Sequence, residues 1–393
     1  MKKLYYLLGL LAITSLGLNA QTILVPTGLN TSGGVEVTWI DAFIDADTNA
    51  MGEQNNTVYQ LVPGGNYAFT VTNNWSFPVT IESAPRSPEQ NRPFIFRTRR
   101  DGSANELAIY RGTADLTLRD VFLIACDEGL DVFTYETIPI SAQGGDQTIR
   151  FDKCVIEQGR QSVIRTLGDG NKVFLTDNIL RNYGDRRRFQ GNGRVVDTRS
   201  SFADSIVIKG NIIHNFLDRI FIGFRQQGLN YFEFSENTVF NQVGRHGFIQ
   251  LNNTKEAVIK DNFIQNPIIQ GTGATPGGSA VRSDEQGDAG GQRFIATQVF
   301  TLDTIVEGAS ITMSNNNVLW TEDVLNHYAT FDSVMQPALF SPVFEQALLA
   351  SGGTVADATF SDVVELNVVP SRTPIIDFAR ESVTFRDSTG ITD

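Results

Sequence analysis

The chain has 393 residues, a hydrophobic fraction of 41% and a formal net charge of -13. That apolar content is enough for a continuous core. The acidic charge is spread along the chain, which argues against a nucleic-acid binder with its basic face and confines any site for anions to a local basic patch.

Residues 1–20 read as a signal peptide: Lys2-Lys3, then an apolar run from Leu4 to Leu18, then Asn19-Ala20 before Gln21. The run is short for a membrane span, no Cys follows it to carry a lipid, and no second candidate span is found. The expected location is secreted, or cell-surface or periplasmic, after cleavage near Ala20. Residues 21–57 read as an N-terminal cap. Trp39, Ile40, Phe43 and Ile44 recur as one face of a short helix, which would cover the open end of a stacked repeat.

Residues 58–322 read as the body of the fold. Strand-like runs cover 57–62, 67–72, 78–83 and 94–97, with Pro63-Gly64-Gly65 as the first turn. From Leu107 one phrase recurs, clearest at 174–182, 207–215, 233–241 and 258–266. An apolar residue precedes a first Asn by three, and a second Asn follows by four. The first Asn falls at 178, 211, 237 and 262, and a worn copy puts Asn316 at 54 residues after Asn262, a distance that fits two turns of the repeat. Cys154 and Val121 hold the same slot in earlier copies. A period near 25 residues built of short strands without helical periodicity specifies a parallel β-helix. The Asn slot is expected to be structural. Asn accepts the left-handed bend between two strands, and stacked amides can form a ladder.

Cys126 and Cys154 are either buried thiols, the reading that their repeat positions favour, or a disulfide permitted by export. Residues 270–293 carry seven Gly together with Asp284, Glu285 and Asp288, and read as a loop leaving the β-helix. Strands are expected again at 294–306 and 311–320. Ser341-Pro342 should open a helix at 343–350, closed by Gly352-Gly353. Residues 323–393 read as a C-terminal cap or extension.

Counting back from the Asn slot gives the candidate site. Arg199 lies twelve before Asn211, Arg225 twelve before Asn237, Gln250 twelve before Asn262, and Arg165 thirteen before Asn178. If these stack, three guanidinium groups form a column at about the 5 Å strand spacing. Such a column needs an anionic partner. Either a polyanionic ligand pairs with the Arg side chains, or acidic neighbours do, Asp197 and Asp218 being available. Arg194, with Arg186, Arg187 and Arg188, adds basic charge nearby. Of the three His, His214 lies inside the repeat phrase and reads as structural. His246 is the one suited to proton transfer.

Three features together resemble the chondroitinase B-like branch of the β-helix superfamily, which includes family six polysaccharide lyases. They are Tyr59-Gln-Leu-Val-Pro-Gly-Gly-Asn-Tyr67, Pro78-Val-Thr-Ile81 and the Asn-bearing coils. The resemblance spans roughly residues 25–320. It implies an all-β, single-stranded, right-handed parallel β-helix of the pectin lyase-like type with short helical caps. It also implies a secreted protein acting on or binding acidic, uronate-containing polysaccharide, by β-elimination if active. In that family a calcium ion neutralises the uronate carboxylate, a Lys takes the C5 proton and an Arg assists. Phe224-Arg225-Gln226-Gln227-Gly228 looks like the family's Arg-bearing run. The family's Glu-x-Glu pair is matched by Asn192-Gly193-Arg194, and its Lys-Ser by Arg199-Ser200. Calcium is therefore implied by the resemblance while its glutamate ligands are absent, and no metal site or cofactor is assigned. Arg225, Arg199 and His246 are the catalytic candidates. Arg165, Arg199, Arg225, Gln250 and Arg194 are the substrate-binding candidates. The alternative is a non-catalytic glycan-binding or cell-surface structural protein that lacks the lyase site.

Overall fold

The structure, a computed structural model, describes residues 21–98, 108–127, 140–159, 161–184, 193–198, 201–216, 218–223, 227–242, 247–269, 272–273, 298–329 and 334–355. Among them, three long sheets run side by side as the faces of a parallel β-helix. Sheet one has ten strands, from Thr22–Val25 to Ile305–Ser314. Sheet two has eleven, from Asn30–Ser32 to Asn317–Leu319. Sheet three has seven, from Ile140–Ala142 to Ala338–Phe340. Each full coil visits sheets one, two and three in turn. Every pairing in sheets one and three is parallel, and so is each pairing in sheet two except the opening hairpin of Asn30–Ser32 with Val35–Trp39.

The core follows from alternation along strands buried on one side. In sheet one, Ile81, Leu118, Phe151, Leu175, Ile208, Phe234, Ile259 and Met313 are successive register partners. All are buried. Each such side chain contributes about 1.5–3 kcal/mol by leaving water, so the coils are held together by columns rather than by one central knot.

The corner from sheet one to sheet two decides the register of everything else. In seven coils it is two residues long. Its first residue has a left-handed backbone: Asp120, Lys153, Asp177, Gly210, Glu236, Asp261 and Asn315, with φ from 50° to 69°. Its second residue is Val121, Cys154, Asn178, Asn211, Asn237, Asn262 or Asn316, and all seven are buried. The left-handed bend thus falls on the residue before the Asn slot, not on the slot itself. The second Asn of the phrase does take that conformation, at Asn182, Asn215, Asn241 and Asn266.

The slot residues form the ladder. Asn178 donates from Nδ2 to Oδ1 of Asn211 at 2.9 Å, Asn211 to Asn237 at 3.0 Å, Asn237 to Asn262 at 3.0 Å, and Asn262 to Asn316 at 2.8 Å. Asn316 therefore stacks directly on Asn262. The 54 residues between them are one coil, not two, because the added length falls between sheets two and three, between Phe263–Gln265 and Gln298–Leu302. Apart from Thr272–Gly273, which pairs with Val334–Met335, the Gly-rich stretch 270–293 lies outside the described residues.

Parallel pairing starts inside the stretch read as a cap, since Thr22–Val25 pairs with Val58–Leu61. The expected helix is present at Ile40–Ala46, with Ile40 and Ile44 buried. At the other end Pro342–Ala350 is a helix capped by Ser341, whose Oγ accepts from Phe344 N at 3.2 Å. The Ser351 hydroxyl accepts from Ile311 N at 2.9 Å, which satisfies an amide on the last strand of sheet one. The run expected as one strand across 294–306 breaks at a corner, into Gln298–Leu302 and Ile305–Ser314. A helix at Glu322–Ala329 adds to the sequence reading; Val324 and Tyr328 on it are buried. No helix among the described residues is long and apolar enough to cross a membrane.

Candidate functional site

Sheet three carries the Arg residues, and its hydrogen-bonded register differs from the count made along the sequence. One row reads Ser141, Arg165, Asp197, Ile222, Gln250, Thr301. The neighbour of Arg165 on the next coil is thus Asp197, and the column of three stacked Arg is not formed through Arg165. The reason is the corner between sheets three and one, whose length varies. From this row to the Asn slot the chain takes 13 residues at Arg165, 14 at Asp197, 15 at Ile222 and 12 at Gln250. A fixed count drifts by as much as the corner does. Arg199, Arg225 and His246 lie outside the described residues.

What sheet three does bring together is a chain of alternating charge. Arg165 binds Asp197 through Nη2 at 2.8 Å and Nε at 3.1 Å. Arg194, at the start of its strand, holds Asp197 at 2.8 Å and Asp218 on the next coil at 3.1 Å. Arg219 sits one coil above Arg194: Asp218 N donates to Gly193 O and Val195 N donates to Arg219 O on either side of that pair. Its Nε lies 3.5 Å from Asp218. Arg219 also donates to Gln250 Oε1, and Gln250 Nε2 donates to Asp303 at 2.9 Å. The stacked guanidinium pair is therefore Arg194 and Arg219, with Asp218 between them.

The electrostatics follow from burial. The Asp197 and Asp218 side chains are 0% and 1% exposed, and those of Arg194 and Arg219 are both 5% exposed. Burial alone disfavours the Arg194 cation, but Asp218 and Asp197 outweigh it and raise its pKa. Arg219 has the weaker hold on Asp218 and the charge of Arg194 beside it. Burial, the largest cause, takes it down to about 10, and it stays charged at neutral pH. Arg165 is the more open member at 11% exposed. The acidic neighbours named from sequence, Asp197 and Asp218, thus do offset the Arg charge, and sequence reasoning missed Arg219 and Asp303. A signal for Arg219 was present: Arg219-Ile220-Phe221 repeats the order of Arg194-Val195-Val196, an Arg followed by two buried apolar residues, once these runs rather than the Asn slots are aligned.

Two further titratable groups, His214 and Cys154, are buried within the coils. His214 is buried in sheet two, stacked on Phe240 with centroids 4.7 Å apart; burial and the nearby Arg181 charge take its pKa down to about 3. Cys154 is a free, buried thiol. Burial pushes it up to about 12, and its backbone N donates to Asn178 Oδ1 at 2.8 Å, which ends the ladder. The side chain of Cys126 lies outside the described residues.

Arg194 stands where the resemblance expects the second calcium-binding glutamate. A guanidinium locked onto two carboxylates puts a cation where a hard cation needs oxygen ligands, so the residue present does not fit that ion. Among the described residues no group of three His, Cys, Asp or Glu side chains is placed to hold a metal.

Compared with protein-family models, curated proteins and solved structures, the chain matches none. The fold and the sheet-three geometry define it as an all-β protein of the parallel β-helix class.

Proposed function

We propose that this protein is a secreted, carbohydrate-active β-helix protein, related to polysaccharide lyases of the chondroitinase B-like branch, that engages acidic polysaccharide along sheet three. One observation carries the reading. On a protein of net charge -13, Arg165, Arg194 and Arg219 with Gln250 occupy successive coils of one face. An extended polymer laid along the stack would meet Arg165 as the most open of these groups, with the buried Arg194 and Arg219 contributing through their charge. Carboxylate or sulfate groups on the sugars are the natural acceptors for Arg. If the protein cleaves its polymer, β-elimination is the reaction. A base takes the proton from C5 of the uronate, the electron pair forms the C4–C5 double bond, and the C4–O bond breaks with a proton returned to the leaving oxygen. Arg225, Arg199 and His246 remain the candidates for that chemistry, with His246 the suitable base.

A second reading, a non-catalytic glycan-binding or surface structural protein, is favoured by the ion pairing itself. Asp197 and Asp218 already compensate the Arg charge, so the row is stable without a ligand. The two readings separate on alginate, pectate and chondroitin sulfate, with and without EDTA, followed by ultraviolet absorbance of the unsaturated product. Activity on one polymer, lost in His246→Ala, is expected of the lyase. Absorbance flat on every polymer would remove the lyase reading. Polymer binding weakened severalfold in Arg165→Ala would then support the binder. Unchanged binding would make sheet three an ordinary solvated face.

A further inference from the structure

In the first three coils the corner between sheets one and two is longer than two residues, and the third is the longest. Between Val79–Ser83 and Phe94–Arg97 the chain makes a long excursion over residues 84–93. The excursion is built rather than slack: Gln90 N donates to Ser87 O at 3.1 Å, Ser87 N to Gln90 Oε1 at 2.8 Å, and Arg86 Nη1 to Gln90 O at 2.7 Å. It leans over the tight corners of later coils. Arg86 grips Asp120 with two bonds, at 2.6 and 2.8 Å. Arg92 donates to the same carboxylate at 3.1 Å and to Lys153 O at 3.2 Å. Beneath this overhang is a cleft of about 530 Å³, lined among others by Arg86, Arg92, Arg119 and Lys153, with Asp120 and Asp177.

The residues that line the cleft carry four cations, Arg86, Arg92, Arg119 and Lys153, against two carboxylates, Asp120 and Asp177. Asp120 serves two guanidinium groups at once. Arg119 is held from its own sheet by Glu82 at 2.8 Å and Asp152 at 3.3 Å. Lys153 is exposed, its ammonium makes no ion pair or hydrogen bond within the described residues, and it is the only cation among the seven left-handed corner residues. A left-handed backbone is a position at which Asn, Asp or Gly is favoured. Arg119 is matched by Glu82 and Asp152 outside the lining, while Arg86 and Arg92 share Asp120, which leaves Lys153 as the lining cation with room for an outside anion. The cleft volume lies within the usual range for a small-molecule site, about 300–1,000 Å³.

We infer that this cleft is a second anion site, remote from the sheet-three row, which takes a carboxylate or sulfate carried by a sugar ring between Lys153, Arg92 and Arg86. The choice of a sugar as carrier rests on the proposed function; the choice of an anion rests on the cleft alone. The test is calorimetric titration of the full chain with galacturonate and a sulfated monosaccharide, with glucose as the neutral control and inorganic sulfate as the bare anion. Both acidic sugars are expected to bind and glucose is not, with affinity falling as salt rises. Lys153→Asn, which keeps a residue suited to the bend, should weaken both by about tenfold while melting unchanged. Arg92→Gln should do the same. The site is refuted if neither acidic sugar binds, if Lys153→Asn binds as the parent does, or if inorganic sulfate binds as tightly as the sugars. Polymer binding that responds to Arg165→Ala while both monosaccharides fail would sink the cleft and leave the sheet-three reading standing. The reverse pattern would keep the cleft and sink the other.

Discussion

Asn237 shows what a single residue does in this fold. Its Oδ1 accepts from both the backbone N and the Nδ2 of Asn211 at 3.0 Å, and its Nδ2 donates to Ile208 O at 2.8 Å and to Asn262 at 3.0 Å. Asn237→Ala strands buried groups on two neighbouring coils, so it should lower stability by about 3 kcal/mol, read as a shift in the urea midpoint. A loss below about 1 kcal/mol would mean that the ladder sets register without carrying stability. His214 makes a prediction of a different kind. The unfolded chain takes up a proton near pH 6.5, whereas buried His214 resists it down to about pH 3. Its contribution is therefore intact above pH 6.5 and falls as the pH drops through that window, by up to ~1.4 kcal/mol per unit. His214→Phe extends the stack on Phe240 without a titrating group and should flatten the acid limb of a stability–pH profile; an unchanged limb would assign it to carboxylates.

At the scale of the element, the strands of sheet three are where sequence reading lost its register. Their apolar character is legible in the sequence: Val195-Val196, Phe221 and Ile249 are β-formers, and all lie in strands and are buried. Their alignment was not. Strand pairing is set by backbone hydrogen bonds across coils, and the corner after each strand differs in length, so the nearest landmark in sequence is not a ruler in space. The ion chain that results is cooperative. Arg194 lies between Asp197 and Asp218, both buried, and Arg194→Ala leaves each carboxylate with one cation fewer in a water-poor setting. Breaking a buried pair this way costs about 3–5 kcal/mol. The more open Arg165 at the end of the chain should cost less, so thermal melts of the two alanine variants are expected to rank Arg194 well below Arg165. Equal melting points would show that water reaches the carboxylates and screens them.

As a whole molecule, a stack of coils is close to one-dimensional, and its ends are its weak points. The N-terminal end is tied by Asp41. Its buried carboxylate accepts from Thr70 N and Oγ1, each at 2.7 Å, and from Val71 N at 2.9 Å. Asp41→Ala should release helix Ile40–Ala46 from the first coils. Hydrogen exchange is the measurement: protection should fall in Thr22–Val25, Val58–Leu61 and Asn66–Phe69 and stay unchanged in Gly228–Ser235. A uniform loss across both regions would mean that the stack unfolds as one unit.

The sequence by itself determined the class of fold, the Asn ladder and the helix that closes each end. These depend on local pattern: alternation that buries one side of a strand, an amide at a repeated slot, a Ser-Pro start. The tertiary structure decided everything that depends on which side chains meet across coils. It made Asp197 the partner of Arg165, set Arg219 one coil above Arg194, reduced 54 residues to one coil, and brought Lys153 to the rim of the cleft beside residues 84–93. The physical reason is the same in each case. Short-range sequence fixes what a segment buries, while the lengths of the corners, which carry no periodic signal, fix which segment lies above it.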